Sequence, residues 1–244
     1  MANQFKLGTL AIGGTPVTLP YGKSCLFDGR IPELRNTEPG KEISWVVVGG
    51  KLIASNCLLS SISYHDLDVL GLVGPTRAYI DGRAYTLRLL RVGAEEGAPN
   101  EWDSALDAVG ENDAVWAWSS RFFWGMDEVA RGSAGVVYRA VRENNSPRCW
   151  DKASESAMYN FGWRPVLEPV SVELSSERID CQVAVWHGQQ IIYGVVESYN
   201  SYDVCLHCAR KLFEKGYERS RWYIQSDDGK FVVDRKQLAA VQLR

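Results

Sequence analysis

Residues 137–169, VYRAVRENNSPRCWDKASESAMYNFGWRPVLEP, are the stretch on which the reading of the fold turns. The stretch opens as an apolar, β-prone run and passes through Asn, Ser and Pro. It closes on Phe161, Gly162, Trp163, Arg164 and Pro165 before a second apolar run. β-Branched and aromatic residues interrupted by turn formers read as two strands bracketing a polar loop. The loop carries Arg142, Asn144, Asn145, Arg148, Trp150, Lys152, Ser154, Ser156, Tyr159 and Asn160, which mix aromatic anchors with adaptable hydrogen-bonding groups. Surfaces that must fit a ligand use this mixture, because Tyr and Trp give contact area at low entropy cost while Ser and Asn adjust their hydrogen bonds. These residues form the candidate binding set. The competing reading is a polar loop that is only polar, with Trp150 turned into the core. Arg164 stands between apolar neighbours and is expected to be structural, held by a buried carboxylate or by carbonyls.

With Arg139 in a strand, Trp150 in the loop and Gly162-Trp163-Arg164-Pro165 at the close, the stretch resembles the C-terminal part of the C-type-lectin fold. The form it resembles is that of formylglycine-generating-enzyme-like domains and of the variable proteins of diversity-generating retroelements, whose ending is Gly-Phe-Arg-Pro. Asn100-Glu101-Trp102-Asp103 and Phe123-Trp124-Gly125 resemble segments of bacterial prophage proteins of this kind, so the resemblance spans residues of about 40 to 170. It implies a ligand-facing surface just before the closing motif, at residues 142–160. The enzyme branch of the superfamily would also need a reactive cysteine pair holding copper. Cys149 has no second cysteine at a matching spacing. The chain holds no Gly-x-Ser-x-Gly elbow, phosphate loop, Gly-x-Gly-x-x-Gly or His-Glu-x-x-His either, so neither an enzyme nor a cofactor is expected.

The chain has 244 residues, 45% of them hydrophobic and 23% charged, an ordinary globular composition with ample material for a core. A formal net charge of −3 gives no chain-wide attraction to nucleic acid or an anionic membrane. No window approaches the roughly 18 apolar residues of a spanning helix, so the expectation is a soluble chain made in the cytoplasm. Six cysteines are too sparse for a disulfide scaffold, and free thiols are expected.

Upstream, residues 5–19 read as a hairpin turning at Gly13-Gly14, and 20–41 as a long surface loop. Trp45-Val46-Val47-Val48 suits a strand buried on both faces. Ser63 heads a short capped helix ending at Gly71, and Asp81-Gly82 marks a second hairpin whose Arg88 and Arg91 are candidates to face a groove. Residues 101–109 fit an amphipathic helix stopped at Gly110, with Asn112 or Asp113 capping a second turn. The carboxylates Glu101, Asp103, Asp107, Glu111 and Asp113 are read as a solvated helix face. The aromatic run from Trp116 to Trp124 is read as core, with Trp116 or Trp118 as the exposed exception.

The polar segment 173–177 divides a domain at 1–174 from one at 178–244. Five short strands with tight turns in the second part suggest a small barrel, and their order resembles that of Sm-like barrels. A helix is expected at 209–215. Arg210, Lys211, Lys215, Arg219, Arg221 and Trp222 interleave basic and aromatic groups in the manner of a nucleic-acid surface, or else form a solvated helix with packed aromatics. Cys205, His207 and Cys208 fall short of the separated ligand pairs of structural zinc, so no metal is assigned.

The sequence therefore reads as α+β, β-rich: a C-type-lectin-like domain followed by a small Sm/SH3-like β-barrel. The leading expectation is a non-catalytic recognition protein of phage or prophage type that binds a protein or glycan. Two alternatives stand beside it, an inhibitor of a host defence complex and an RNA binder acting through the C-terminal barrel. Expected locations are the bacterial cytoplasm or a virion, with homo-oligomerisation open.

Overall fold

A computed structural model describes residues 3–19, 21–22, 30–119, 121–131, 135–142, 145–213 and 222–244. In chain order the first strands are β1 (Gln4–Ile12), β2 (Thr15–Pro16), β3 (Tyr21–Gly22), β4 (Pro32–Arg35), β5 (Glu42–Val48), β6 (Lys51–Ala54) and β7 (Leu59–Ser60). Helix α1 (Tyr64–Val69) precedes β8 (Thr76–Ile80) and β9 (Arg83–Leu89), and α2 (Glu101–Val109) and α3 (Asp113–Trp116) follow. Then come β10 (Phe122–Arg131), β11 (Val137–Arg142), β12 (Trp150–Ser154), β13 (Phe161–Trp163) and β14 (Pro165–Pro169). The last part holds β15 (Gln182–His187), β16 (Gln190–Tyr199), β17 (Asp203–Lys211), β18 (Tyr223–Gln225), β19 (Phe231–Asp234) and β20 (Ala240–Leu243). The protein is β-rich, with 48% of the described residues in strands and 12% in helices. Among the described residues, no helix is long and apolar enough to cross a membrane.

Local chemistry sets many of these boundaries. Gly13 and Gly14 take φ of 55° and 84° between β1 and β2, and Asp81 and Gly82 take 51° and 76° between β8 and β9. Paired positive φ angles make hairpin turns whose twist matches that of the strands. Ser63 accepts from Asp66 N at 3.0 Å while Asp66 accepts from Ser63 N at 3.2 Å, a capping box for α1. Asn100 caps α2 by accepting from Asp103 N, and Gly110 ends it.

Three sheets result, ordered β2-β1-β5-β6-β14-β9-β8 with β4 on β1, β12-β11-β10-β13-β7-β3, and β18-β19-β17-β16-β15-β20. Strand β5 lies between two cores. Trp45 and Val47 enter one and Val46 and Val48 the other, as the two-residue period of a strand requires. The chain passes from the second sheet to the first at Arg164, between Trp163 and Pro165. Arg164 is fully buried and donates to the carbonyls of Ala54 at 2.9 Å and Ala117 at 3.4 Å. Its guanidinium lies 5.2 Å from the Trp102 ring centre and 4.8 Å from that of Phe123. Carbonyls and aromatic faces thus hold this arginine, in line with its expected structural role.

The first and third sheets share a hydrophobic core. Tyr85, Leu87 and Trp45 belong to the same cluster as Trp186, Ile191 and Ala240. Tyr85 meets Trp186 edge-on with ring centres 6.5 Å apart. Gln242 donates to Ala84 O at 2.7 Å, and Gly50 N to Gly188 O at 2.8 Å. A Cβ on Gly50 would stand 2.2 Å from that of Ala239, so only glycine permits this approach.

Three expectations need correction. Residues 209–211 are strand, since β17 runs through Lys211, and 212–213 are not helical; the rest of the expected helix, 214–215, lies outside the described residues. Pairing with β16 across two register shifts satisfies that backbone and overrides its local helical pattern. Residues 20–41 include β4, which pairs with β1 and so is more than loop. Trp116 is fully buried, edge-on to Trp102 at 5.0 Å, while Trp118 is half-buried.

Candidate recognition surface

The segment expected to be a polar loop contains a strand. Strand β12 pairs antiparallel with β11, setting Trp150 against Arg142, Lys152 against Ala140 and Ser154 against Tyr138. Strand β12 is also the terminal strand of its sheet, so among the described residues its far edge has no partner strand. Period-two alternation puts Tyr138, Lys152 and Ser154 on one face at the open end of this pair.

In the first half of the segment Arg142 and Trp150 are committed inward. Arg142 is 2% exposed, and its Nη2 donates to Val92 O at 2.7 Å and to Asp103 Oδ2 at 2.8 Å. Its Nη1 donates to Arg148 O at 2.9 Å. This corrects its place in the binding set: a buried guanidinium whose two Nη atoms donate inside the fold has no face to offer a ligand. Arg148 bonds Asp107 at 2.7 Å and also Glu111 at the surface of α2 and the turn beyond it. Trp150 is half-buried, packs on the core cluster beneath α2 and donates to Gly93 O at 2.7 Å. Asn145 is exposed, and Asn144 lies outside the described residues.

The second half faces out. Lys152 is exposed with its Nζ 5.9 Å from the Tyr138 ring centre, and the Ser154 and Ser156 hydroxyls are 3.1 Å apart. Tyr159 is 89% exposed, Met158 beside it 40%. Asn160 takes φ 64°, a left-handed conformation that Asn tolerates better than most residues, and so returns the chain to β13.

This exposed turn stands on a braced base. On its entry side Glu155 N donates to Val137 O at 3.2 Å, Glu155 O accepts from His65 N at 3.1 Å, and the Glu155 carboxylate takes Arg139 Nε at 2.7 Å. Arg139 in turn lies 4.4 Å from the Tyr64 ring centre. On the exit side Phe161 stacks on buried Trp124 at 4.5 Å. The structure thus groups Lys152, Ser154, Ser156, Tyr159 and Asn160 along β12 and the turn after it. Tyr138 and Met158 join them although the sequence reading passed over both.

The remaining candidates lie elsewhere. Of the α2 carboxylates, Glu101 turns inward and accepts from Arg88 at 2.6 and 2.8 Å and from Lys51, which corrects the solvated-face reading. Burial works to raise the Glu101 carboxyl, but the hydrogen bonds from Arg88 and Lys51 outweigh it and hold the group at about 2. Arg88 is accordingly buried at an ion cluster completed by Glu168 at 2.5 Å and faces no groove. In the third sheet Trp222 is 1% exposed and stacks on His187 at 4.8 Å, which corrects its expected role as a base-stacking platform. Arg210 and Lys211 lie over the rings of Tyr193 and Tyr223, at 5.9 and 5.7 Å. Lys215, Arg219 and Arg221 lie outside the described residues. The Cys205 thiol donates to Glu197 at 3.2 Å, and among the described residues no group of three His, Cys, Asp or Glu side chains is arranged to hold a metal. Set against protein-family models, curated proteins and solved structures, the chain matches none.

Proposed function

We propose that this chain is a non-catalytic recognition protein that binds a protein or glycan through the face formed by Lys152, Ser154, Ser156, Met158 and Tyr159. The observation that carries the proposal is the 89% exposure of Tyr159 on a turn braced at both ends. A large aromatic costs free energy to hold in water, and a rigid base lowers the ordering cost when a ligand covers it. The C-type-lectin-like reading of residues 1–174 rests on the Gly162-Trp163-Arg164-Pro165 ending and on the sheet switch at Arg164. A Sm/SH3-like barrel over 178–244 is supported by the meander β15-β16-β17-β19 with β20 returning to β15, and by the 3-10 turn Arg235–Gln237 just before β20. The phage or prophage setting rests on the sequence resemblance alone.

The test is capture from host lysate and on a glycan array, comparing the parent with a Lys152→Ala, Met158→Ala, Tyr159→Ala variant of equal unfolding temperature. Substituting Trp150 or Arg142 would confound the result, because both support the fold. A ligand held by the parent and lost by the variant supports the proposal. Equal capture by both overturns it.

A further inference from the structure

We propose that the seam between the first and third sheets carries a binding site for a small phosphate-bearing ligand, built from Arg83, Arg210, Arg244, Tyr193 and Gln182. These residues line a cavity of about 180 Å³. That lies below the roughly 300–1,000 Å³ of pockets that enclose a drug-sized molecule, so the cavity suits a charged head group with the rest of the ligand outside.

The charge balance of this cavity is what calls for an anion. Arg83 comes from the start of β9 in the first sheet, Arg210 and Tyr193 from paired positions on β17 and β16 in the third. The Arg83 and Arg210 guanidiniums lie 4.7 and 5.9 Å from the Tyr193 ring centre. Arg244 is fixed beside them by its Nη1 donating to Gln182 Oε1 at 3.1 Å. None of the ion pairs among the described residues includes Arg83, Arg210 or Arg244, whereas Arg88, Arg139, Arg142 and Arg148 each have at least one carboxylate. Arg83 Nε is moreover buried without a hydrogen-bond partner. Arg83 is half-buried and Arg210 and Arg244 are exposed along one cavity wall, so their charges add there, and their planar forks match phosphate oxygens. Burial keeps the Tyr193 phenol raised even against these three arginines, so its hydroxyl stays a donor. Among the described residues, no Asp or Glu side chain, which would repel a phosphate, lines the cavity.

The site crosses the seam, so a bound anion would tie the two sheets together as well as fill the cavity. Calorimetric titration of the full chain with inorganic phosphate and with adenosine monophosphate, at matched ionic strength in chloride, tests the proposal. The expected result is saturable binding that weakens about tenfold or more in Arg83→Ala and again in Arg210→Ala, in keeping with loss of charge-assisted hydrogen bonds. Arg77→Ala, which removes an exposed positive charge outside the cavity, should leave binding unchanged. Tighter binding of the nucleotide would identify an esterified phosphate as the ligand; equal binding would identify the free ion. The proposal is overturned if neither compound binds, or if Arg77→Ala weakens binding as much as the cavity variants do.

Discussion

Residues 142–150 and 151–160 belong to one polar segment of nearly uniform composition, yet they do opposite work. Arg142 is enclosed with Asp103 and two carbonyls, and Trp150 is pinned to Gly93 O, while Lys152, Met158 and Tyr159 stand in solvent. The difference lies in what each half meets across the fold. The first half meets α2 and the 91–93 segment, which offer carboxylates and carbonyls, and the second runs along the edge strand of its sheet, where the Lys152, Met158 and Tyr159 side chains are exposed. Polar composition by itself does not separate a site from its support.

The largest way to break this contrast is Arg142→Ala, which strands the Asp103 carboxylate and two carbonyls. It should destabilise the fold by about 3–5 kcal/mol in urea unfolding. A loss below about 1 kcal/mol would place Arg142 with the outward residues. The inward side can be probed next by pH through Glu101. Its carboxyl is depressed from 4.5 to about 2 on folding, so its contribution of about 3 kcal/mol is complete above pH 4.5 and is lost as the pH falls through 2. Glu101→Gln should flatten that part of the stability profile, and an unchanged slope would show that other carboxylates dominate acid unfolding.

Smaller effects sharpen the boundary. Trp150→Phe keeps an aromatic ring but removes part of the indole and leaves Gly93 O without its donor, and should cost about 1–2 kcal/mol without loss of ligand capture. Tyr159→Ala should change stability by less than about 0.5 kcal/mol while abolishing capture. A large stability loss with Tyr159→Ala would assign that ring to the scaffold.

Much of the local structure was legible in the sequence because short-range chemistry specifies it. Gly13-Gly14 and Asp81-Gly82 supply positive φ, Ser63 and Asn100 cap their helices, and the unbroken Trp45–Val48 run lies between two cores. Arg164 was readable as structural for a similar reason, since a lone charge among apolar neighbours must be enclosed by acceptors.

What tertiary structure alone decided are the matters settled by partners distant in sequence. Residues 209–211 became strand because β16 offered a ladder. Trp222 became core because His187 and the third sheet close over it. Arg83 and Arg210 are 127 positions apart in the chain, and nothing near either one announces the other. Turns and caps follow from energies within a few neighbouring residues. Enclosure, exposure and the meeting of like charges depend on which surfaces the whole chain brings together.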